Sequence, residues 1–143
     1  HTDSNFEQTF LQEILSLALL EKLGLEIYYN GDGSLTEFRV KCYAQNGQKW
    51  RYLGMYTPDF LIIQRKGGEI YKAIIVETKG ALYAHDPTFV QKKTFMQGPF
   101  LAKNNEAYGY PRFDYLYLED TMKEQERITV TAERIKTFFT EEK

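Results

Sequence analysis

The stretch Thr57-Pro58-Asp59-Phe60-Leu61-Ile62-Ile63, followed beyond a Gly67-Gly68 pair by Ile74-Ile75-Val76-Glu77-Thr78-Lys79-Gly80, decides the fold of this 143-residue chain. Phe60–Ile63 and Tyr71–Val76 are nearly continuous apolar runs of strand length. A strand apolar on both sides is covered on both faces, so these two belong at the centre of a sheet sandwiched between helices. Beyond Lys72 near the start of the second run, three charges stand at the strand ends: Asp59 opens the first run, and Glu77 and Lys79 close the second. Charged side chains are almost never fully buried unless paired or bound to a metal.

If the two runs form a hairpin across the glycines, the start of the first lies beside the end of the second. A turn centred on Gly68 sets Asp59 opposite Glu77, and a turn centred between the glycines moves the pairing by one residue. Directly opposed Cβ atoms are about 4.5–5.5 Å apart. Carboxylates that close repel unless a cation lies between them. Alternation turns Glu77 and Lys79 to one side and Thr78 to the other, leaving the Thr78 carbonyl placed to add a neutral oxygen. Carboxylates, a carbonyl and water suit Mg²⁺ or Mn²⁺ rather than zinc.

Working outward, a helix is expected over about Asn5–Leu23, with apolar residues at 6, 10, 14, 17 and 18 and Gly24 as terminator. Short strands follow at Leu25–Tyr29, Phe38–Tyr43 and Trp50–Met55, the last two joined through Asn46-Gly47, a strong hairpin signal. Asp86 before Pro87 reads as an N-cap and a first helical residue. That helix should run to about Gln97 and stop at Gly98-Pro99, with a short helix at about Phe100–Ala107 beyond. A strand at Phe113–Leu118 and a closing helix at about Thr131–Thr140, with Ile135, Phe138 and Phe139 on its apolar face, complete an α/β sandwich with a mixed central sheet flanked by helices.

Composition bounds the function. At this length one domain spanning 1–143 is expected, and 43% hydrophobic residues with 11 Tyr, 10 Phe and 1 Trp exclude a disordered chain. The lone Cys42 excludes an intramolecular disulfide and a thiolate zinc site and suits a reducing, cytoplasmic setting. No apolar run approaches the roughly 20 residues that span a bilayer, and no signal peptide is visible, so no membrane role is expected. The chain opens at His1 and is expected to be a fragment of something longer. With 18 basic and 20 acidic residues its net charge is −2, whereas proteins that hold DNA by phosphate neutralisation are usually basic. A nucleic-acid role therefore needs a local basic surface, a metal ion or other domains. The Asn30-Gly31-Asp32-Gly33 turn lacks the Lys-Ser/Thr and helix of a phosphate-binding loop. There is no Gly-x-Ser-x-Gly and no Cys/His pairing for nucleophilic catalysis.

Pro58-Asp59, then Glu77-Thr78-Lys79 at the end of the next strand, resembles the PD-(D/E)-x-K motif of that nuclease superfamily. The helix–three strands–helix–strand order, α-β-β-β-α-β, is similar to its restriction-endonuclease-like core, over about residues 5–118. More narrowly, Tyr56-Thr57-Pro58-Asp59-Phe60-Leu61 followed by Val76-Glu77-Thr78-Lys79-Gly80 is similar to the C-terminal endonuclease domain of type III restriction enzyme Res subunits. The resemblance implies a Mg²⁺-dependent endodeoxyribonuclease, with Mn²⁺ as substitute. Its implied partners are double-stranded DNA, a helicase/translocase domain in the same chain and a methyltransferase/specificity subunit. A repair or recombination nuclease of the same superfamily, or a non-catalytic DNA-binding or assembly module of that fold, are the alternatives.

The resemblance also assigns roles. Asp59, Glu77 and the Thr78 carbonyl would hold the metal, and many members add a glutamate from the first helix. Glu7, Glu13 and Glu21 are available there. Glu7 points within the apolar face and is preferred, although an acid in a first helical turn also complements the helix dipole. Lys79 would position water or stabilise phosphate charge, since an ordinary lysine, with a pKa of about 10.4, is a poor base at neutral pH. Gln91, four residues before Phe95, fits a helical Gln-x-x-x-aromatic motif that reaches the active site in some members. Arg39, Lys41, Lys49, Arg51, Lys92, Lys93 and Lys103 could track DNA or form an ordinary solvated face. Tyr108, Tyr110, Tyr115 and Tyr117 could stack bases but more often such residues pack. His85 is expected in a loop.

Overall fold

A computed structural model describes residues 9–10, 12–14, 17–29, 38–80 and 84–140 of the chain. Its centre is a sheet of β1 (Glu26–Tyr29), β4 (Phe60–Lys66), β5 (Glu69–Lys79) and β6 (Phe113–Glu119), side by side in that order. The first three are antiparallel neighbours, and β6 runs parallel to β5. β2 (Val40–Asn46) and β3 (Lys49–Tyr56) pair apart from this sheet as a two-stranded ribbon. Helices α1 (Ala18–Lys22), α2 (Pro87–Phe95), α3 (Leu101–Tyr108) and α4 (Glu124–Thr140) complete the described elements.

The apolar runs are covered on both faces, as their composition demands. Alternate residues of β4 and β5 supply the two cores. Phe60, Ile62, Ile74 and Val76 pack with Phe10, Ile14 and Leu20 from the N-terminal helical segments and with Ile135, Phe138 and Phe139 of α4. Leu61, Ile63, Ala73 and Ile75 pack with Cys42 and Tyr56 of the ribbon and with Met96 and Phe100. Full burial of each Leu, Ile, Val, Phe or Met among them contributes about 1.5–3 kcal/mol.

The β4–β5 register resolves the two alternatives by using both. Gly67 and Gly68, each at positive φ, close a tight turn that pairs Lys66 with Glu69 and Arg65 with Ile70. A bulge then moves the pairing by one residue, so that Gln64 faces Lys72 and Phe60 faces Val76. One further step sets position 59 across from position 77. The extra residue is Tyr71. Its carbonyl accepts a hydrogen bond from the Tyr110 hydroxyl, and its ring stacks on that of Tyr110 at 4.8 Å.

Three elements differ from expectation. The first helix is interrupted: residues 9–10 and 12–14 are helical, but Leu17 is extended (φ −78°, ψ 118°) and α1 starts afresh at Ala18. It ends at Gly24 (φ +66°), where Leu25 N–H reaches the Leu20 carbonyl, as the sequence requires. Gly98-Pro99 does not stop the second helix. A π-helical turn, Met96–Phe100, carries the chain from α2 into α3, since the wider turn accommodates a residue with no N–H to donate. The closing helix starts at Glu124, a full two turns before expectation. Arg127 occupies a buried position on it and is paired with Glu13, a contact between residues 114 positions apart that no local pattern reveals.

Candidate active site

β4 and β5 bring Asp59, Glu77 and Lys79 to one end of the sheet, where they line a cleft of about 340 Å³ with Tyr56, Thr57, Asp86, Phe89 and Lys92. The floor comes from the strand ends and one wall from α2, which is started by Asp86 accepting from Phe89 N–H at 3.0 Å and by Pro87 in its first turn.

Each carboxylate is oriented by donors. Asp59 Oδ2 accepts from Thr78 N–H at 2.9 Å and from Thr78 Oγ1 at 3.0 Å. The Thr78 hydroxyl therefore serves the site directly, although alternation turns its side chain away from that of Glu77; the bend at Asp59 carries the carboxylate over the strand end. Glu77 is only 4% exposed. Its Oε1 accepts from the Tyr56 hydroxyl at 2.6 Å, and its Oε2 lies 3.4 Å from Lys79 Nζ. That ammonium sits 4.5 Å from the centre of the Phe89 ring, which confines it electrostatically to the cleft side.

Burial, followed by the neighbouring Asp59 charge, holds the Glu77 carboxyl well above the usual carboxylate range, against the pull of Lys79 and Tyr56. The Tyr56 hydroxyl is pushed far up by burial and then by Glu77, so it stays a proton donor at any ordinary pH. Tyr115, buried beside Tyr56, is raised for the same two reasons. The arrangement sets a buried carboxyl, Glu77, beside the half-buried Asp59 with the Lys79 ammonium close by, and it favours a further cation.

The donor set fits a hard divalent ion. Among the described residues no group of three or more His, Cys, Asp and Glu could enclose a metal. Mg²⁺ does not need one, because it keeps several waters and is commonly held by one or two carboxylates together with substrate phosphate. Asp59, Glu77 and the Thr78 carbonyl are oxygen donors of that type.

Other anticipated residues lie elsewhere. Glu7 falls outside the described residues. Glu13 is turned to Arg127 (Oε2 to Nη2 2.7 Å), and Glu21 is exposed. Gln91 is not brought to the cleft; it lines a separate groove against the ribbon with Tyr43, Trp50, Val90 and Phe95. On α2 the residues that face the cleft are Thr88, Phe89 and Lys92. Lys92, anticipated only as a DNA-tracking cation, donates from Nζ to the Met55 carbonyl at 2.9 Å. Helical periodicity separates position 92 from 91 and joins it to 89, a signal that outranks the local Gln-x-x-x-Phe pattern. Tyr56 stands in the linear motif with no role of its own, and its bond to Glu77 needs the third dimension. Of the other tyrosines, Tyr110 and Tyr115 pack as described, Tyr117 donates to Glu119 at 2.8 Å, and Tyr108 is half exposed. His85 is exposed in the turn before α2.

No family model, curated protein or solved structure matches this chain. No helix among the described residues is long and apolar enough to cross a membrane.

Proposed function

We propose that this domain is a Mg²⁺-dependent endodeoxyribonuclease of the PD-(D/E)-x-K type, and that it serves as the cleavage module of a type III restriction enzyme in the cytoplasm. The observation that carries the reading is the convergence of Asp59, Glu77 and Lys79 in one cleft at the ends of two buried strands. The element order supports it too: three antiparallel neighbours, a helical crossover, then a parallel fourth strand. The restriction assignment, with its helicase/translocase and methyltransferase partners, rests on the Tyr56–Leu61 and Val76–Gly80 resemblance alone.

In this mechanism Asp59, Glu77 and the Thr78 carbonyl would hold Mg²⁺, which when bound supplies a Lewis acid for the phosphate and a more acidic water. Thr78 fixes Asp59 through two donors on one oxygen, and Tyr56 fixes Glu77 through one. Each carboxylate oxygen retains lone pairs after these bonds. Lys79, 21% exposed at its side chain, presents its ammonium to the open side of the cleft, where it can orient the attacking water and offset charge gathering on the phosphoryl oxygens. Phosphate esters need little else from a protein than positioning and charge stabilisation.

Supercoiled plasmid incubated with the chain and Mg²⁺ or Mn²⁺ should be nicked, and EDTA should stop the reaction. Lys79→Ala should abolish nicking with an unchanged circular-dichroism spectrum. Full activity in that variant would defeat the assignment.

A further inference from the structure

Charge is unevenly distributed along this slightly acidic chain. Segments 38–58 and 87–105 hold seven of its 18 basic residues, Arg39, Lys41, Lys49, Arg51, Lys92, Lys93 and Lys103, and none of its 20 acidic ones. The fold joins these two segments: α2 packs on the β2–β3 ribbon, with Phe95 against Tyr43 at 6.0 Å between ring centres and Lys92 bonded to Met55. The result is a basic lobe on an otherwise acidic protein. Such a field concentrates polyanions.

On this lobe lies a groove of about 300 Å³ lined by Tyr43, Trp50, Phe95, Pro99 and Lys103. Its lining is apolar rings with one cation. Trp50 is 44% exposed and the neighbouring Tyr52 50%, which is costly for large aromatics that could have packed. Flat rings beside an ammonium, inside a positive field, match one ligand chemistry: a nucleobase and the phosphate next to it. A paired base stacked in a duplex presents no face to such rings, so the ligand must be unpaired. Lys49 and Arg51 flank Trp50 along β3 and project to the other side of the ribbon, where they add to the field without touching that base.

We infer that the groove between the ribbon and α2 binds an unpaired nucleotide of single-stranded DNA through Tyr43, Trp50, Phe95 and Lys103. The inference deepens the nuclease reading and rests on it for the choice of DNA. Helix α2 separates groove from cleft, with Val90, Thr94 and Phe95 on one flank and Phe89 and Lys92 on the other. A helix is about 10–12 Å across, so a strand held in the groove reaches Asp59 and Glu77 within a few nucleotides.

Trp50 is the chain's one tryptophan, so its fluorescence reports on the groove alone. Titrating the 143-residue chain in EDTA with a short oligo(dT) should quench that emission saturably. Blunt duplex of equal length should bind more weakly without quenching. By fluorescence anisotropy of labelled oligo(dT), Trp50→Ala should weaken binding roughly ten-fold, Trp50→Phe much less, and Lys103→Gln should flatten the logarithmic salt dependence by about 0.7. No quenching, equal quenching by duplex, tighter binding of oligo(U), or unchanged affinity in Trp50→Ala would each overturn the assignment. The nuclease reading fails separately. A chain that binds oligo(dT) as described and never nicks plasmid in Mg²⁺ loses that reading and keeps the groove; one that nicks without quenching does the reverse.

Discussion

Among the described residues two buried glutamates pair with basic residues, and they are built to opposite standards. Glu13 meets Arg127 through two bonds, Nε to Oε1 at 3.3 Å and Nη2 to Oε2 at 2.7 Å, and Arg127 Nη1 also donates to the Met122 carbonyl at 2.7 Å. Such a fork-to-fork pair is saturated and geometrically fixed. Glu77 meets Lys79 at a loose 3.4 Å, with a second carboxylate beside it. The first pair ties the N-terminal helical segment to α4. The second stands beside Asp59 where a cleft opens. A closed pair holds the fold together, and an open one is available for chemistry.

The sharpest way to break this contrast is to exchange the losses. Asp59→Ala should cut plasmid nicking roughly a hundred-fold or more, while its urea midpoint stays near that of the parent. Parental nicking rates in this variant would put the two pairs on the same footing. Glu13→Ala should do the reverse. It strands the Arg127 guanidinium in the core and should cost about 3–5 kcal/mol by urea denaturation, with residual folded protein still able to nick. A cost under 1 kcal/mol would show that the bidentate pair is ornamental.

Titration sharpens the comparison further. Because the Glu77 carboxyl is held above its usual range, the folded chain without metal keeps a proton there that the unfolded chain has already lost. Its contribution to stability is thus full below about pH 4.5 and is lost as pH rises through the folded value. In EDTA, thermal melts should show a decline with rising pH that Glu77→Gln removes. An identical decline in that variant would assign it to other groups. The smallest effect concerns the ribbon. Cys42 is fully buried, and burial pushes its thiol up to about 11. It should resist alkylation at pH 8 in the native state and react at once in urea. Its stabilising contribution, present below about pH 9, should fade between pH 9 and 11. Rapid native alkylation would mean that the ribbon lifts from the sheet.

The two pairs also differ in how far the sequence disclosed them. Asp59, Glu77 and Lys79 were legible because polar residues at the tips of otherwise apolar strands stand out against a two-residue period. The sandwich was legible for the same reason, as were Asp86 and Gly24 at helix ends. Glu13–Arg127 was hidden. Arg127 in a stretch of charged residues reads as solvated surface, and only its distant partner makes burial tolerable. The start of α4 at Glu124 was missed for that reason. The π-helical turn was missed because Gly98-Pro99 is locally a breaker, whereas packing of Met96 and Phe100 keeps the chain winding. Gln91 was attractive as a linear motif, and helix rotation turns it to the wrong flank.

Tyr71, the surplus residue in β5, has a long reach. Side chains of a strand change sides with every step, so a slip of one position would replace Glu77 with Thr78 at the mouth of the cleft. Besides the burial of alternate residues on the two faces, what holds that register is a tyrosine on another segment, Tyr110, clasping the Tyr71 carbonyl at the far end of the strand. The molecule keeps its carboxylates aligned in the way a vernier is locked, by a catch placed well away from the scale it sets.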